Sequence, residues 1–118
     1  MTERAPTDWN ALIKDPPRFA AAIVQKGEAW ADAEAAAALL EETRKTVLAA
    51  EMAKQGEMPV SKAEMHALAS DVYRRHVISM VEARRVANKA RVVYDGAKAM
   101  MELARSAEAT RRTEMGLR

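Results

Sequence analysis

Alanine and larger apolar residues recur along this chain at helical spacing, and few glycines or prolines interrupt them. The run FAAAIVQKGEAWADAEAAAALLEETRKTVLAAEMAK is rich in alanine, and after Ser70 only Gly96 interrupts a second long stretch. The pattern predicts two long helices, over residues 17–55 and 71–115, with Ser70 and Asp71 as candidate caps of the second. Gly96 inside a helix predicts a close helix crossing or a bend.

Helix signals also mark the loop between the two long segments. Asp15 is placed to cap the first long helix, and Gly56 to end it. Ser61 and Glu64 form the S-x-x-E pattern of a capping box, in which each side chain binds the other residue's backbone N–H. This pattern predicts a short helix over residues 61–69.

The length of the last helix determines the predicted fold. A helix over 71–115 cannot bury its apolar face alone, and the connection at 55–61 is short enough to fold the first helix back against it. Residues 1–16 add a short helix around Trp9. We therefore expect an all-α protein: a long, coiled-coil-like antiparallel helical hairpin with short extra helices at the N-terminus and at the connection, forming one helical domain over residues 1–118.

A seven-residue repeat organises the packing face of the last helix. Ala83, Ala90, Ala97 and Ala104 keep this spacing, and rows of larger apolar residues lie beside them. An alanine-centred face lets a partner helix approach closely, and the period implies left-handed supercoiled packing. The residues predicted to pack the hairpin or an oligomer are Trp30, Leu40, Val47, Val86, Val93, Tyr94 and Met100.

Basic residues keep the same seven-residue spacing along the edge of this face. We call Arg84, Arg91, Lys98, Arg105 and Arg112 the basic row. One interpretation is a solvated face with salt bridges to Asp95 and Glu102 at i,i+3 and i,i+4. The other is a surface that follows successive phosphates without reading bases. On this second interpretation the phosphate contacts are Arg84, Arg91, Lys98, Arg105, Arg111 and Arg112.

Composition favours a folded protein with a thin or shared core. The 118 residues are 49% hydrophobic and 31% charged, but only 4% are aromatic and a single residue is Phe. Much of the apolar content is alanine, which indicates a homo-oligomer. Residues 1–70 carry 8 basic and 11 acidic side chains, and residues 71–118 carry 11 and 6. This asymmetry suits an anionic partner, or attraction between the two halves within a fold or oligomer.

No pattern in the sequence indicates catalysis, a metal or a cofactor. The two histidines, His66 and His76, are ten residues apart and lie in no HExxH motif, and the chain has no cysteine and no glycine-rich phosphate loop. We expect a non-enzymatic protein. No stretch approaches the roughly 18 apolar residues of a spanning helix, so we expect no membrane association and a cytoplasmic location.

The C-terminal segment EARRVANKARVVYDGAKAMMELARSAEATRRTEM resembles the closing helix of small, all-helical proteins encoded by phages and prophages. The resemblance covers about the last 35 residues well, the first helix loosely through EETRK at 41–45, and the first 18 residues not at all. Such proteins are encoded near single-strand annealing and exonuclease genes, which implies an accessory role in phage DNA recombination. The matching positions are Glu82, Arg84, Asn88, Ala90, Arg91, Tyr94, Ala97, Lys98, Ala109, Thr110, Arg111, Arg112, Glu114 and Met115.

Two functional hypotheses follow from the sequence. The first is a homo-oligomeric accessory protein of phage-type recombination that binds single-stranded DNA without sequence preference and works beside phage recombination proteins in the host cytoplasm. The second is a helical protein-interaction or oligomerisation module without nucleic-acid binding, whose charged face docks an acidic surface of a partner or of its own symmetry mate.

Overall fold

The computed structural model describes residues 7–116, which form helices and no strand. In chain order the helices are α1 (Trp9–Ile13), α2 (Pro16–Ala53), α3 (Val60–Leu68) and α4 (Asp71–Glu114). The all-α prediction is confirmed, and the observed helix ends differ from the expected ones by at most two residues. The first six residues of the predicted N-terminal segment lie outside the described range.

Side-chain caps fix the starts of α2 and α4. The Asp15 Oδ1 atom accepts a hydrogen bond from the Arg18 N–H at 3.4 Å, and the Ser70 Oγ atom accepts one from the Tyr73 N–H at 3.2 Å. The caps predicted at Asp15 and Ser70 are confirmed, whereas Asp71 is the first residue of α4. Ser70 also donates its hydroxyl proton to the Ala67 carbonyl at 2.6 Å, so one side chain joins the end of α3 to the start of α4.

The predicted capping box at the start of α3 is wrong. The helix begins at Val60, with Pro59 as its N-cap and no side-chain cap hydrogen bond. The Lys62 and Ala63 N–H groups instead donate to the Pro59 carbonyl at 3.1 and 3.0 Å. Because the helix starts one residue earlier than expected, Ser61 lies inside the first turn and is no longer in the N-cap position.

The described residues divide into two compact units. Those up to Glu28 together with those from Arg91 onward form unit 1, and Ala29–Ala90 form unit 2. In unit 2, Leu40 contacts His76 and the earlier Glu34 contacts the later Arg84, so the α2 and α4 segments are antiparallel. The predicted helical hairpin, in which α2 and α4 pack together, is confirmed.

Alanine supplies all the buried apolar side chains of unit 2 and one of the two in unit 1. The buried apolar side chains of unit 2 are Ala37, Ala63, Ala67 and Ala87, and those of unit 1 are Phe19 and Ala97. Helices that meet through alanine approach closely but bury little apolar area. Among the residues predicted to pack, Trp30, Leu40, Val47, Tyr94 and Met100 are half-buried, whereas Val86 and Val93 are exposed.

The closest approach to a glycine in unit 1 occurs at Gly27 rather than at Gly96. A Cβ atom added at Gly27 would lie 3.1 Å from Cε1 and 3.3 Å from Cζ of Tyr94, which is too close without movement of the ring. A Cβ atom at Gly96 would meet nothing within 4 Å. Of the two roles predicted for Gly96, a close crossing or a bend, the close crossing is wrong among the described residues; the close contact lies at Gly27.

Candidate nucleic-acid interface

The basic row lies along one flank of α4. Helical geometry separates its members by about 10.5 Å, since each residue advances the helix by about 1.5 Å. The alanines at 90, 97 and 104 lie one position before Arg91, Lys98 and Arg105, and they are buried or half-buried. The packing face therefore accounts for the spacing of the row, as expected from the heptad.

Arg84, the first member of the row, is held by two carboxylates of α2. Its Nη1 lies 2.6 Å from Glu34 Oε2, and its Nε donates to Glu41 Oε1 at 2.7 Å. Hydrogen bonds to Glu34 and Glu41 raise the pKa of Arg84, so the guanidinium stays charged. The side chain is only 33% exposed. As a phosphate contact, Arg84 would have to leave both carboxylates.

The next three members of the row belong to unit 1 and are far more accessible. Arg91 and Lys98 each lie 3.6 Å from Asp95, and Arg105 lies 3.7 Å from Glu102. The side chains of all three bases are more than half exposed. These are the intrahelical salt bridges expected from the sequence, but their distances exceed those of a charge-assisted hydrogen bond. Exposed pairs of this kind contribute about 0–1 kcal/mol, so little free energy opposes their exchange for another anion.

Lys98 has a second partner on its own helix. Its Nζ lies 4.4 Å from the centroid of the Tyr94 ring. A cation–π contact near the protein surface contributes about 0.5–1 kcal/mol. Because this ring also packs against Gly27, the contact holds the Lys98 ammonium group beside the packing face, while the side chain as a whole remains half exposed. Tyr94 is thus a packing residue, as its heptad position predicted.

The end of α4 contains a tighter pair. Arg111 binds Glu108 through two hydrogen bonds, Nη2 to Oε1 at 2.6 Å and Nε to Oε2 at 3.1 Å, and the Arg112 Nε lies 3.7 Å from the same carboxylate. The hydrogen bond from Arg111 holds the pKa of Glu108 below its ordinary value. Two guanidinium groups share one carboxylate, so this turn retains a net positive charge. Arg105, Arg111 and Arg112 also line an open groove of unit 1 whose apolar wall includes Phe19.

The α2 partners of Arg84 were not predicted from the sequence, although a signal for them exists. Glu34 and Glu41 are seven residues apart, as are the members of the basic row, and an antiparallel hairpin places equal spacings on facing edges. His76 was also missed. Its Nε2 lies 2.8 Å from the Leu40 carbonyl, so the ring N–H donates to the backbone of α2. Nothing in the local sequence marks this contact between distant residues.

The described residues therefore define an all-α hairpin whose last helix carries exposed bases along one flank. No family model, curated protein or solved structure matched this chain. Within residues 7–116 no group of acidic or histidine side chains is arranged to hold a metal ion. None of the helices described there is long and apolar enough to cross a membrane.

Proposed function

We propose that this chain is a non-enzymatic accessory protein of phage-type DNA recombination or repair that binds nucleic acid, preferentially single-stranded DNA, without reading its sequence. The observation that carries the proposal is the exposure of Arg91, Lys98, Arg105 and Arg112 along one flank of α4, with salt-bridge distances of 3.6 to 3.7 Å. The resemblance of the α4 sequence to phage-encoded helical proteins supports the biological setting, which would be the host cytoplasm.

Phosphate binding by such a row follows from simple electrostatics. Each lysine or arginine that neutralises a phosphate releases a condensed counterion, and the affinity then falls as salt rises. For single strands the slope of log K against log salt is about −0.7 per phosphate, so four contacts give a slope of about −3. Side chains that contact only phosphates carry no base discrimination. We expect weak sequence preference and strong salt dependence.

The proposal is tested by fluorescence anisotropy with labelled single-stranded and duplex oligonucleotides between 50 and 300 mM salt. The test variant replaces Arg91, Lys98 and Arg105 with Gln, which removes charge without adding anions beside Asp95 and Glu102. The matched control also uses Gln, in place of Arg74, Arg75 and Arg85. These three residues lie on α4 outside the basic row, so the control loses the same number of charges. We expect the test variant to lose at least tenfold in affinity and its salt slope to flatten by about 2.

Two outcomes would contradict the proposal. Equal losses in the test and control variants would show that only net charge matters, and that the row has no special role. Failure of the native protein to bind either oligonucleotide at 50 mM salt would refute nucleic-acid binding. Circular dichroism and sedimentation of each variant exclude unfolding and altered assembly as causes.

One observation favours a second candidate function, a helical protein-interaction or oligomerisation module without nucleic-acid binding. Unit 2 buries only alanine among its apolar residues, while many larger apolar side chains remain exposed, including Leu39, Ile78 and Val86. Exposed apolar surface of this extent is typical of surfaces that meet another protein. A native protein that assembles but binds no DNA would favour this candidate.

A further inference from the structure

An open groove of unit 1 lies between the α1–α2 corner and the end of α4. Ile13, Pro16 and Ala20 line it together with α4 residues at positions 101–112. Its volume of about 1150 Å³ exceeds the roughly 300–1,000 Å³ of a pocket for a small molecule. The groove is large enough to take a segment of another polypeptide.

Contacts within the α1–α2 corner fix the shape of the groove. The Trp9 and Phe19 rings pack at a tilt, with their centroids 5.9 Å apart. The Asp15 N–H donates to the Leu12 carbonyl at 2.9 Å, and the Phe19 N–H donates to the Asp15 carbonyl at 2.9 Å. Because this side of the groove is already ordered, a partner loses little free energy in ordering it.

Positive charge predominates among the ionisable residues that line the groove itself. They are three arginines, Arg105, Arg111 and Arg112, and one glutamate, Glu108, which leaves a net charge of +2. Arg111 already binds Glu108 through two hydrogen bonds of 2.6 and 3.1 Å. Arg105 and Arg112 each lie 3.7 Å from a carboxylate of α4, too far for a charge-assisted hydrogen bond. The groove thus favours an occupant that carries acidic groups.

The uncharged lining suits aliphatic side chains better than nucleobases. Single-stranded nucleic acid stacks its bases on accessible aromatic rings. Phe19 is the one aromatic among the described residues that line the groove, and at 3% exposure it offers too little surface for stacking. Alanine, proline, Ile13 and Met101 make up the rest of the uncharged lining. A partner with aliphatic and acidic side chains therefore matches the groove better than DNA does.

A helix is the backbone conformation best suited to this groove. The described residues include no strand with which an extended segment could pair, and apolar side chains satisfy no backbone N–H or C=O group. A helix satisfies these groups internally and lays an apolar face, with residues at i, i+3, i+4 and i+7, into such a groove. The lining stretch of α4, 101–112, extends about 16 Å, which corresponds to about three turns of a partner helix.

We propose that the unit 1 groove binds an acidic amphipathic helix of about three turns from a partner protein. Its aliphatic face lies in the groove, and acids seven residues apart pair with Arg105 and Arg112, which are themselves seven residues apart on α4. This inference gives the interaction-module candidate a site and a partner class, and it does not depend on DNA binding.

Fluorescence anisotropy with a labelled synthetic peptide tests the docking on the full chain. The peptide has about 14 residues, with leucines at i, i+3, i+4 and i+7 and glutamates seven apart beside that face. One control peptide has the same composition with its leucines scattered around the helix, and another has lysine in place of glutamate. We expect the first peptide to bind with a Kd below about 100 µM and both controls at least tenfold more weakly. A native protein that does not bind the first peptide, or binds all three equally, would overturn the proposal.

Paired variants locate the peptide in the groove. Ala20→Trp fills the groove, whereas Ala21→Trp makes the same change at an exposed position on another side of α2. We expect at least tenfold weaker peptide binding for Ala20→Trp and little change for Ala21→Trp. Circular dichroism of each variant excludes unfolding as the cause.

A second pair of variants removes charge and adds no bulk. Replacing both Arg105 and Arg112 with Gln should weaken peptide binding at least tenfold. Replacing both Arg74 and Arg75 with Gln, which are exposed residues of unit 2, should change it little. Equal effects within either pair of variants would contradict docking in the groove.

Titration of the same variants with single-stranded DNA distinguishes this proposal from the proposed function. Suppose that the native protein binds no peptide and that Ala20→Trp binds DNA more weakly than Ala21→Trp. The groove would then hold nucleobases, and the helix proposal would be overturned. Peptide binding by a protein that binds no DNA would refute only the proposed function.

Discussion

The two glycines of the long helices give a sharp test of the packing in unit 1. An alanine in place of a glycine in a helix interior stabilises the helix by about 1 kcal/mol. At Gly96 a methyl group would meet no atom within 4 Å, so Gly96→Ala keeps the full gain. For a chain of this size we expect the melting temperature to rise by about 3–5 °C.

Gly27→Ala is the same chemical change with the opposite expected result. Its methyl group would lie 3.1 and 3.3 Å from two carbons of the Tyr94 ring, and the Lys98 ammonium group also contacts that ring, 4.4 Å from its centroid. Overpacking of this kind costs about 1–3 kcal/mol, which offsets or exceeds the gain in helix propensity. We expect an unchanged or lower melting temperature, by up to about 8 °C.

A double-mutant cycle isolates the cause of that difference. In a Tyr94→Leu background the ring is absent, so Gly27→Ala should recover most of its helix-propensity gain, while the effect of Gly96→Ala should be unaltered. Thermal melts followed by circular dichroism at equal protein concentration supply all the values. The reasoning is refuted if Gly27→Ala and Gly96→Ala stabilise the native chain equally, because the ring would then not restrict the position.

Three further predictions concern polar contacts. Arg84→Gln should lower the melting temperature more than Arg85→Gln, because only the loss of Arg84 leaves two carboxylates of α2 without their partner on α4. Equal effects of the two substitutions would contradict the ion pairs between the helices. Ser70→Ala should cost about 1 kcal/mol of unfolding free energy in a denaturant titration, and Ser70→Asp should restore much of it if capping is the cause. The Glu108 carboxyl carbon should titrate by NMR below pH 4.5, and in Arg111→Gln its midpoint should return towards 4.5. Since the pKa of Glu108 is lowered in the folded state, its pairing with Arg111 stabilises the fold above about pH 4.5. This stabilisation is lost as the pH falls through the folded-state pKa. An unshifted titration midpoint would contradict the pairing.

The helices were largely predictable because their signals are local. Alanine content, few interruptions and the caps at Asp15 and Ser70 act within one or two turns, so the sequence alone placed the helix ends to within two residues. The error at Ser61 has the same origin. The capping-box pattern marked the right region, but the helix begins one residue earlier, at Val60, so Ser61 lies in the first turn and not at the N-cap.

The contacts between helices were less predictable, because they depend on register. The heptad indicated which faces meet, but not that Gly27 would lie opposite Tyr94 or that Arg84 would lie between two glutamates. Each of these pairs joins residues more than forty positions apart, and a shift of one turn would replace every partner. Exposure of Val86 also follows from register, since its row lies at the rim of the face rather than at its centre.

The same register explains why members of the basic row differ. The α2 heptad row that contains Glu34 and Glu41 continues towards the N-terminus as Gly27 and Ala20, neither of which carries a charge. Arg84 therefore meets carboxylates in unit 2, whereas Arg105 shares its unit 1 groove with Ala20. On this account a basic residue of α4 is available to an external anion where the facing α2 row is uncharged.

Moving the carboxylate tests this account without changing α4. Ala20→Glu places an acid in the groove that Arg105 lines, and Ala21→Glu adds the same charge at an exposed position on another side of α2. If single-stranded DNA binds the row, Ala20→Glu should weaken binding about tenfold at 100 mM salt and Ala21→Glu much less, since surface charges beyond about 10 Å are screened. Anisotropy titrations of both variants measure this directly. Equal weakening would mean that α2 does not control the availability of the row, and that the contrast between Arg84 and Arg105 has no bearing on binding.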